Sequence, residues 1–152
     1  MKIEWILLAE GLGQDAKGAF SAIGLNQNVL ATPSLPATTK RAVVAHLVDT
    51  EGTLNSGDKI TLRFSVSSPS GQVIAAQTIQ AAIGPRPWPD LPLASDLPVE
   101  LVLTFHQFGT HKFEVAVQTP DGVEIKESLD FYVLVPPAPS VEHLAAGQTH
   151  SS

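Results

Sequence analysis

Hydrophobic and polar residues alternate with a period of two along most of this chain. That spacing marks strands with one face on a core, because successive side chains of a strand point to opposite sides. The longest such stretch is 97–135. Val99, Leu101, Leu103 and Phe105 alternate with Glu100, Thr104 and His106, and only Val102 breaks the polar face. Phe113, Val115 and Val117 repeat the pattern, as do Val123, Ile125, Leu129, Phe131, Val133 and Val135. Glu127 falls on the inner register, which marks a bulge or a place where that face leaves the core. Asp121-Gly122 supplies the positive φ of a tight hairpin, and Gly109 lies in the preceding turn. The stretch therefore predicts a meander of three strands.

Five further strands are predicted upstream. Residues 2–10 are apolar on both faces, with Ile3, Trp5, Leu7 and Ala9 on one and Ile6 and Leu8 on the other. Such a strand is central or meets another subunit. Residues 11–17 form a glycine-rich turn. Without a following Gly-Lys-Ser/Thr and a helix, the turn is no phosphate loop. Residues 18–26 read as a returning strand, with a short helix as the alternative. Residues 26–39, with Pro33 and Pro36, read as a surface loop. In the strand at 39–50, Val43, Ala45 and Leu47 share a face. After a turn at 51–58, Ile60, Leu62, Phe64 and Val66 alternate with Lys59, Thr61, Arg63 and Ser65. Pro69-Ser70-Gly71 then turns the chain into a partner strand at 72–83.

Residues 84–98 hold five prolines in fifteen residues (GPRPWPDLPLASDLP). Each proline lacks a donor, so this segment is expected to cross between hairpins without pairing as a central strand. After 135 the run Pro136-Pro137-Ala138-Pro139 predicts a stiff exit and a flexible tail over 136–152. About eight strands, turn signals every eight to twelve residues and no 3.6-residue periodicity predict one all-β domain over 1–135. An immunoglobulin-like antiparallel β-sandwich is the expected fold, with a small closed β-barrel as the alternative.

The run Leu103-Thr104-Phe105, then Phe108-Gly109-Thr110-His111-Lys112-Phe113-Glu114-Val115 and Asp121-Gly122, resembles the closing hairpin of many β-sandwich modules. His111 stands where those modules often carry an aromatic residue. The opening Met1-Lys2-Ile3-Glu4-Trp5-Ile6-Leu7-Leu8-Ala9-Glu10, with Lys17-Gly18 and Gly24, is similar to a group of short uncharacterised bacterial β-sandwich proteins. The resemblance covers about 1–135 and rests on turn and core residues. It implies a fold and no activity.

Composition narrows the chemistry. There is no cysteine, which excludes disulfides, thiolate metal sites and a cysteine nucleophile. Nine Lys and Arg against fifteen Asp and Glu give a net charge of −6, with no basic stripe for nucleic acid. The apolar run Trp5–Ala9 is too short for a secretory h-region or a membrane span. The expectation is a soluble, cytoplasmic protein that binds neither nucleic acid nor membrane and needs no cofactor.

Candidate sites are few. His106 and His111 flank one turn, and with Glu114 or Asp96 they could hold a metal ion. Their spacing matches no standard motif, so two surface histidines are the plainer reading. No Gly-x-Ser-x-Gly elbow occurs, and Asp90 and Asp96 are loop acids. Pro85-Arg86-Pro87-Trp88-Pro89 is a stiff segment carrying two residue types enriched at binding hot spots, so Arg86 and Trp88 are the candidate partner contacts. The plainer alternative is that Trp88 caps one end of the sandwich. Strands 2–9 and 72–83 carry few charges and little proline, and either could pair with a second copy. The expected function is a non-enzymatic protein-interaction module that self-associates. A carbohydrate- or small-molecule-binding module using Trp5, Trp88 or Tyr132 is the alternative, and an enzyme with a spatially assembled site is third.

Overall fold

The computed structural model describes residues 1–138 and is all-β there. Nine strands form in chain order: β1 (Lys2–Gln14), β2 (Phe20–Leu25), β3 (Val29–Ala31), β4 (Ala37–Asp49), β5 (Lys59–Ser67), β6 (Val73–Ala82), β7 (Leu93–Phe105), β8 (Gly109–Gln118) and β9 (Glu124–Leu134). They make a four-stranded sheet, β2-β1-β4-β7, and a five-stranded sheet, β3-β9-β8-β5-β6. Neither sheet closes into a barrel. The tail expected over 136–152 lies, from residue 139 on, outside the described residues.

The alternating positions build the core between the sheets. Val43, Ala45 and Leu47 of β4 and Val99, Leu101, Leu103 and Phe105 of β7 face Ile60, Leu62, Phe64 and Val66 of β5. Phe113, Val115 and Val117 of β8 and Phe131 and Val133 of β9 complete that layer. Phe131 stacks on Phe105 across the sandwich at 5.2 Å and tilts against Phe113 at 5.3 Å. Full burial of each such ring is worth about 2 kcal/mol.

Both predicted hairpins form. β5 and β6 pair antiparallel around Ser68–Gln72, and β8 and β9 pair antiparallel around the Asp121-Gly122 turn, with Gly122 at φ 87°. Residues 20–25 are strand, which settles the helix alternative. Glu127 pairs in register with Val115 and is exposed, so that face leaves the core without a bulge.

Five expectations are corrected. First, 97–135 is not a meander: β7 belongs to one sheet and β8 to the other. The chain crosses the sandwich at 106–108 and turns at Gly109, whose φ of 117° would strain any side chain and whose added Cβ would press on Pro69 at 3.3 Å. Second, the proline-rich crossover ends earlier than expected. Residues 93–98 pair with β4, and Pro98 sits opposite Val44. A proline is tolerated there because β7 is an edge strand. Third, the sheets are not wholly antiparallel. Within the loop expected at 26–39, β3 runs parallel to β9. Buried Arg41 reaches from β4 to hold that segment. Its Nε donates to the Gln27 carbonyl at 3.2 Å and its Nη2 to the Val29 carbonyl at 3.4 Å, and its guanidinium lies over the Phe131 ring.

Fourth, β1 runs through Gly11 and Gly13 to Gln14, and its register slips between Ile3 and Trp5. The bulge turns Ile3, Ile6 and Leu8 together toward the core, and Trp5, Leu7 and Ala9 outward. Fifth, β1 lies between β2 and β4, so residues 2–9 offer no free edge to a second copy.

Candidate functional site

The edges of the two sheets decide what the molecule can present. β6 and β3 are the outer strands of the five-stranded sheet, and β7 and β2 those of the other. β6 and β7 come alongside each other in opposite directions without ladder pairing, which leaves an open seam between the sheets. A groove of about 430 Å³ opens at each end of the seam.

The first groove lies under the proline-rich segment. Ala81 and Ile83 at the end of β6, Leu93 and Leu97 of β7, and Trp88 and Leu91 of the connecting loop form it. Trp88 does not cap the sandwich: it is 68% exposed. Arg86 is committed within the domain. Its Nη2 donates to the Leu54 carbonyl at 2.9 Å and lies 3.5 Å from the Asp49 carboxylate. Asp49 is buried and also accepts from the Leu54 N–H at 2.8 Å and the Thr53 hydroxyl at 2.9 Å. Burial pushes the Asp49 carboxyl up, but those hydrogen bonds and the positive amino group of Met1 outweigh it and hold the pKa below its ordinary value. Arg86 thus anchors the loop, and Trp88 is left free on it.

The second groove contains both histidines flagged by the sequence. His106 is exposed, whereas His111 is 1% exposed, which corrects the reading of both as surface residues. His111 takes an inward position of β8, opposite Phe131, and meets Phe105 edge-on at 4.8 Å. Its Nδ1–H donates to the Gly109 carbonyl at 3.3 Å, so Nε2 carries the lone pair, and Nε2 has no partner among the described residues. Burial lowers the His111 pKa and the Gly109 bond only partly offsets it, so the neutral ring is favoured. Glu114 lies on the opposite face of β8, 3.8 Å from Lys126, and Asp96 is engaged by His46. The proposed ligand set therefore does not converge, and no group of three or more metal-ligating side chains occurs among the described residues.

The outer face of the four-stranded sheet carries a cluster that the sequence did not assemble, although Trp5 and Asp96 were each named. Trp5 stacks on His46 at 4.7 Å, His46 Nδ1–H donates to Asp96 at 2.7 Å, and Glu4 lies 3.8 Å from Nε2. These residues sit on three different strands, so no local spacing announces them. Trp5, Trp88 and Tyr132 do not form one aromatic platform: Trp5 is on this outer face, Trp88 on the crossover loop, and Tyr132 on β9 of the other sheet.

Edge strands that lack charge and proline include the short β2, which exposes Phe20, Ile23 and Leu25, and the longer β6. The ten residues of β6, VIAAQTIQAA, include no charge and no proline, and one bulge, at Ile74, interrupts the strand. Alternate N–H and C=O groups of an edge strand point away from its single neighbour and stay unpaired. Ala76, Gln77, Thr78, Gln80 and Ala82 are exposed along it, and Val73 is 56% exposed at its start. No helix among the described residues is long and apolar enough to cross a membrane. Compared with protein-family models and with curated proteins, the chain matches none of them.

Proposed function

We propose that this protein is a non-enzymatic interaction module that binds protein partners by adding a strand at the β6 edge. The single observation behind this reading is a ten-residue edge without charge or proline, the feature that folded β proteins ordinarily suppress. Main-chain hydrogen bonds would supply affinity, and the Trp88 groove at the end of the same edge would take a side chain of the added strand. Arg86 holds the loop in place for this purpose, and Trp88 makes the contact. The same reading takes the domain as immunoglobulin-like, supported by its two packed sheets, and as cytoplasmic, supported by the cysteine-free sequence. The likeness to uncharacterised bacterial sandwich proteins is supported by turn and core residues. A net charge of −6 argues against nucleic acid as the partner.

Selection of ten-residue peptides from a random library on the immobilised protein tests this reading. Alternating, apolar, proline-free peptides should be enriched and should slow hydrogen exchange of β6 amides. Thr78→Lys should weaken them about tenfold, since a lysine blunts an edge. If no peptide is enriched and no β6 amide is protected, strand addition is wrong.

A second reading rests on the Trp88 groove alone. Its volume of about 430 Å³ and apolar walls suit a small, uncharged ligand. A thermal-shift screen of neutral metabolites and sugars tests it, and a hit abolished by Trp88→Ala would favour it over strand addition.

A further inference from the structure

We propose that the groove at the start of β6 binds a small uncharged polyhydroxyl molecule, a monosaccharide or a polyol, one hydroxyl of which donates to Nε2 of His111. The site goes beyond strand addition and does not depend on it. It also lies at the other end of the seam from Trp88.

The starting point is a polar ring in an apolar layer. Phe105, Phe113 and Phe131 fill the neighbouring inward positions with rings that need no hydrogen bond. His111, opposite Phe131 and edge-on to Phe105, is equally buried and does need them. Its Nδ1–H is met by the Gly109 carbonyl. Its Nε2 is the one buried side-chain nitrogen or oxygen without a partner among the described residues. Folded proteins pair nearly all such atoms, and an exception points to something outside the chain that meets it. The ring also walls a groove of about 430 Å³. A water fills about 30 Å³, whereas small-molecule sites start at about 300 Å³. The groove is therefore built on the scale of a ligand.

The lining selects the chemistry. No carboxylate, ammonium or guanidinium lines this groove. A charged group seated there would have no counterion, and a carboxylate has no proton to give Nε2. A hydroxyl can donate to Nε2 and still accept from a neighbour. Gln72 and Gln107 stand exposed on the walls, and each amide both donates and accepts. The Ser68 and Thr104 hydroxyls are already paired with Ser70 and Thr38, so the two glutamines are the adaptable contacts. Val73 and Ile74 give the groove one apolar side, which suits the C–H face of a sugar or polyol. Burial keeps the His111 ring neutral, the form that can accept.

Proton–nitrogen correlation NMR of the full chain at pH 7.5 tests the proposal. The probes are glucose, galactose, myo-inositol and glycerol, each beside its fully O-methylated counterpart, which keeps the acceptors and loses every donor. At least one free probe should bind with a Kd of about 1 mM or tighter. It should shift the His111 ring nitrogens and the amides of Gln72 and Gln107, and its methylated counterpart should not. His111→Phe keeps an aromatic ring and removes the acceptor, and should weaken binding about tenfold or more. Gln72→Ala, at an exposed position, should weaken it too and guards against a folding defect in the first variant. Trp88→Ala should leave it unchanged. The proposal is overturned if no free probe shifts His111, which would make Nε2 a purely structural atom. Equal binding by the methylated counterparts, or by His111→Phe, overturns it as well. Shifts confined to the Trp88 groove would overturn it in favour of a ligand at that end.

Discussion

The two strands that flank the seam have the same position and opposite character. β7 carries Asp96 and Glu100 on its outward face and Pro98 in its body, and Glu100 is tied to Lys40 at 3.0 Å. Charge and proline are the usual means of keeping an edge from pairing with another chain. β6 has neither over ten residues. The same fold therefore protects one of its neighbouring edges and leaves the other bare beyond the bulge at Ile74. Crowding at the seam does not explain the difference, because β6 is largely exposed. Sequence composition, strand by strand, distinguishes an edge that is closed from one that can be used.

The largest expected effect is on the side that holds the groove in place. Asp49 pairs with Leu93 at the start of β7 and binds Arg86, Thr53 and Leu54. Asp49→Ala should cost about 3 kcal/mol in urea unfolding, because it leaves those donors without their buried acceptor. If the loss is below about 0.5 kcal/mol, the range of an ordinary surface change, the anchor is not what shapes this side.

A lysine placed on each edge in turn addresses the contrast directly. Thr78→Lys on β6 should weaken binding of an added apolar strand about tenfold, or about 1.4 kcal/mol. Val102→Lys on β7, at a position 71% exposed, should leave it unchanged. Equal effects from the two would erase the distinction between the edges.

The opposite end of the seam should respond to pH. The pKa of His111 in the folded chain lies below its ordinary value of 6.5. Above 6.5 the ring is neutral whether folded or unfolded, and this stabilisation is fully present. As pH falls through 6.5 the unfolded chain takes up the proton first, so stability declines until the folded pKa is passed. The melting temperature should be lower at pH 5.5 than at pH 7.5. The carboxylates with lowered values, Asp49 among them, lose stability only in a more acidic range. A flat profile would mean that the His111 ring is not held neutral.

The smallest effect is expected from His111→Phe. It removes the unpartnered Nε2 together with the long Nδ1–H bond to the Gly109 carbonyl, and keeps an aromatic ring against Phe105. Stability at pH 7.5 should change by less than about 1 kcal/mol, and the decline toward pH 5.5 should shrink. A loss above about 3 kcal/mol would show that the imidazole makes a bond the unpaired nitrogen conceals.

Much of the fold was legible because its signals are local. Alternation in β5 and β8 reports the pleat of a single strand, and Asp121-Gly122 and Pro69-Ser70-Gly71 report turns within a few residues. Val102 and Glu127 were correctly read as exceptions. The candidate site was legible only in part. Trp88 and the strand at 72–83 could be named, because a tryptophan among prolines and a run without charge are visible in one dimension, but that Trp88 is exposed and does not cap the sandwich could not. The roles of Arg86 and His111 could not, since an arginine in a loop and a histidine beside a turn look the same whether exposed or anchored. A signal did exist for Asp49, a carboxylate closing the apolar run VVAHLV, and for Arg41, a cation opening it. Both are buried.

By itself, the sequence determined that this chain makes strands, where most of them turn, and which side chains alternate into a core. Those properties follow from pleat geometry and from backbone angles that only some residues adopt. Tertiary structure alone decided that β7 and β8 part into different sheets, that β3 runs parallel to β9, and that β6 and β7 leave a seam open between them. Period-two alternation tells a strand which face to bury. It does not tell the strand which neighbour to pair with, and neighbours define edges.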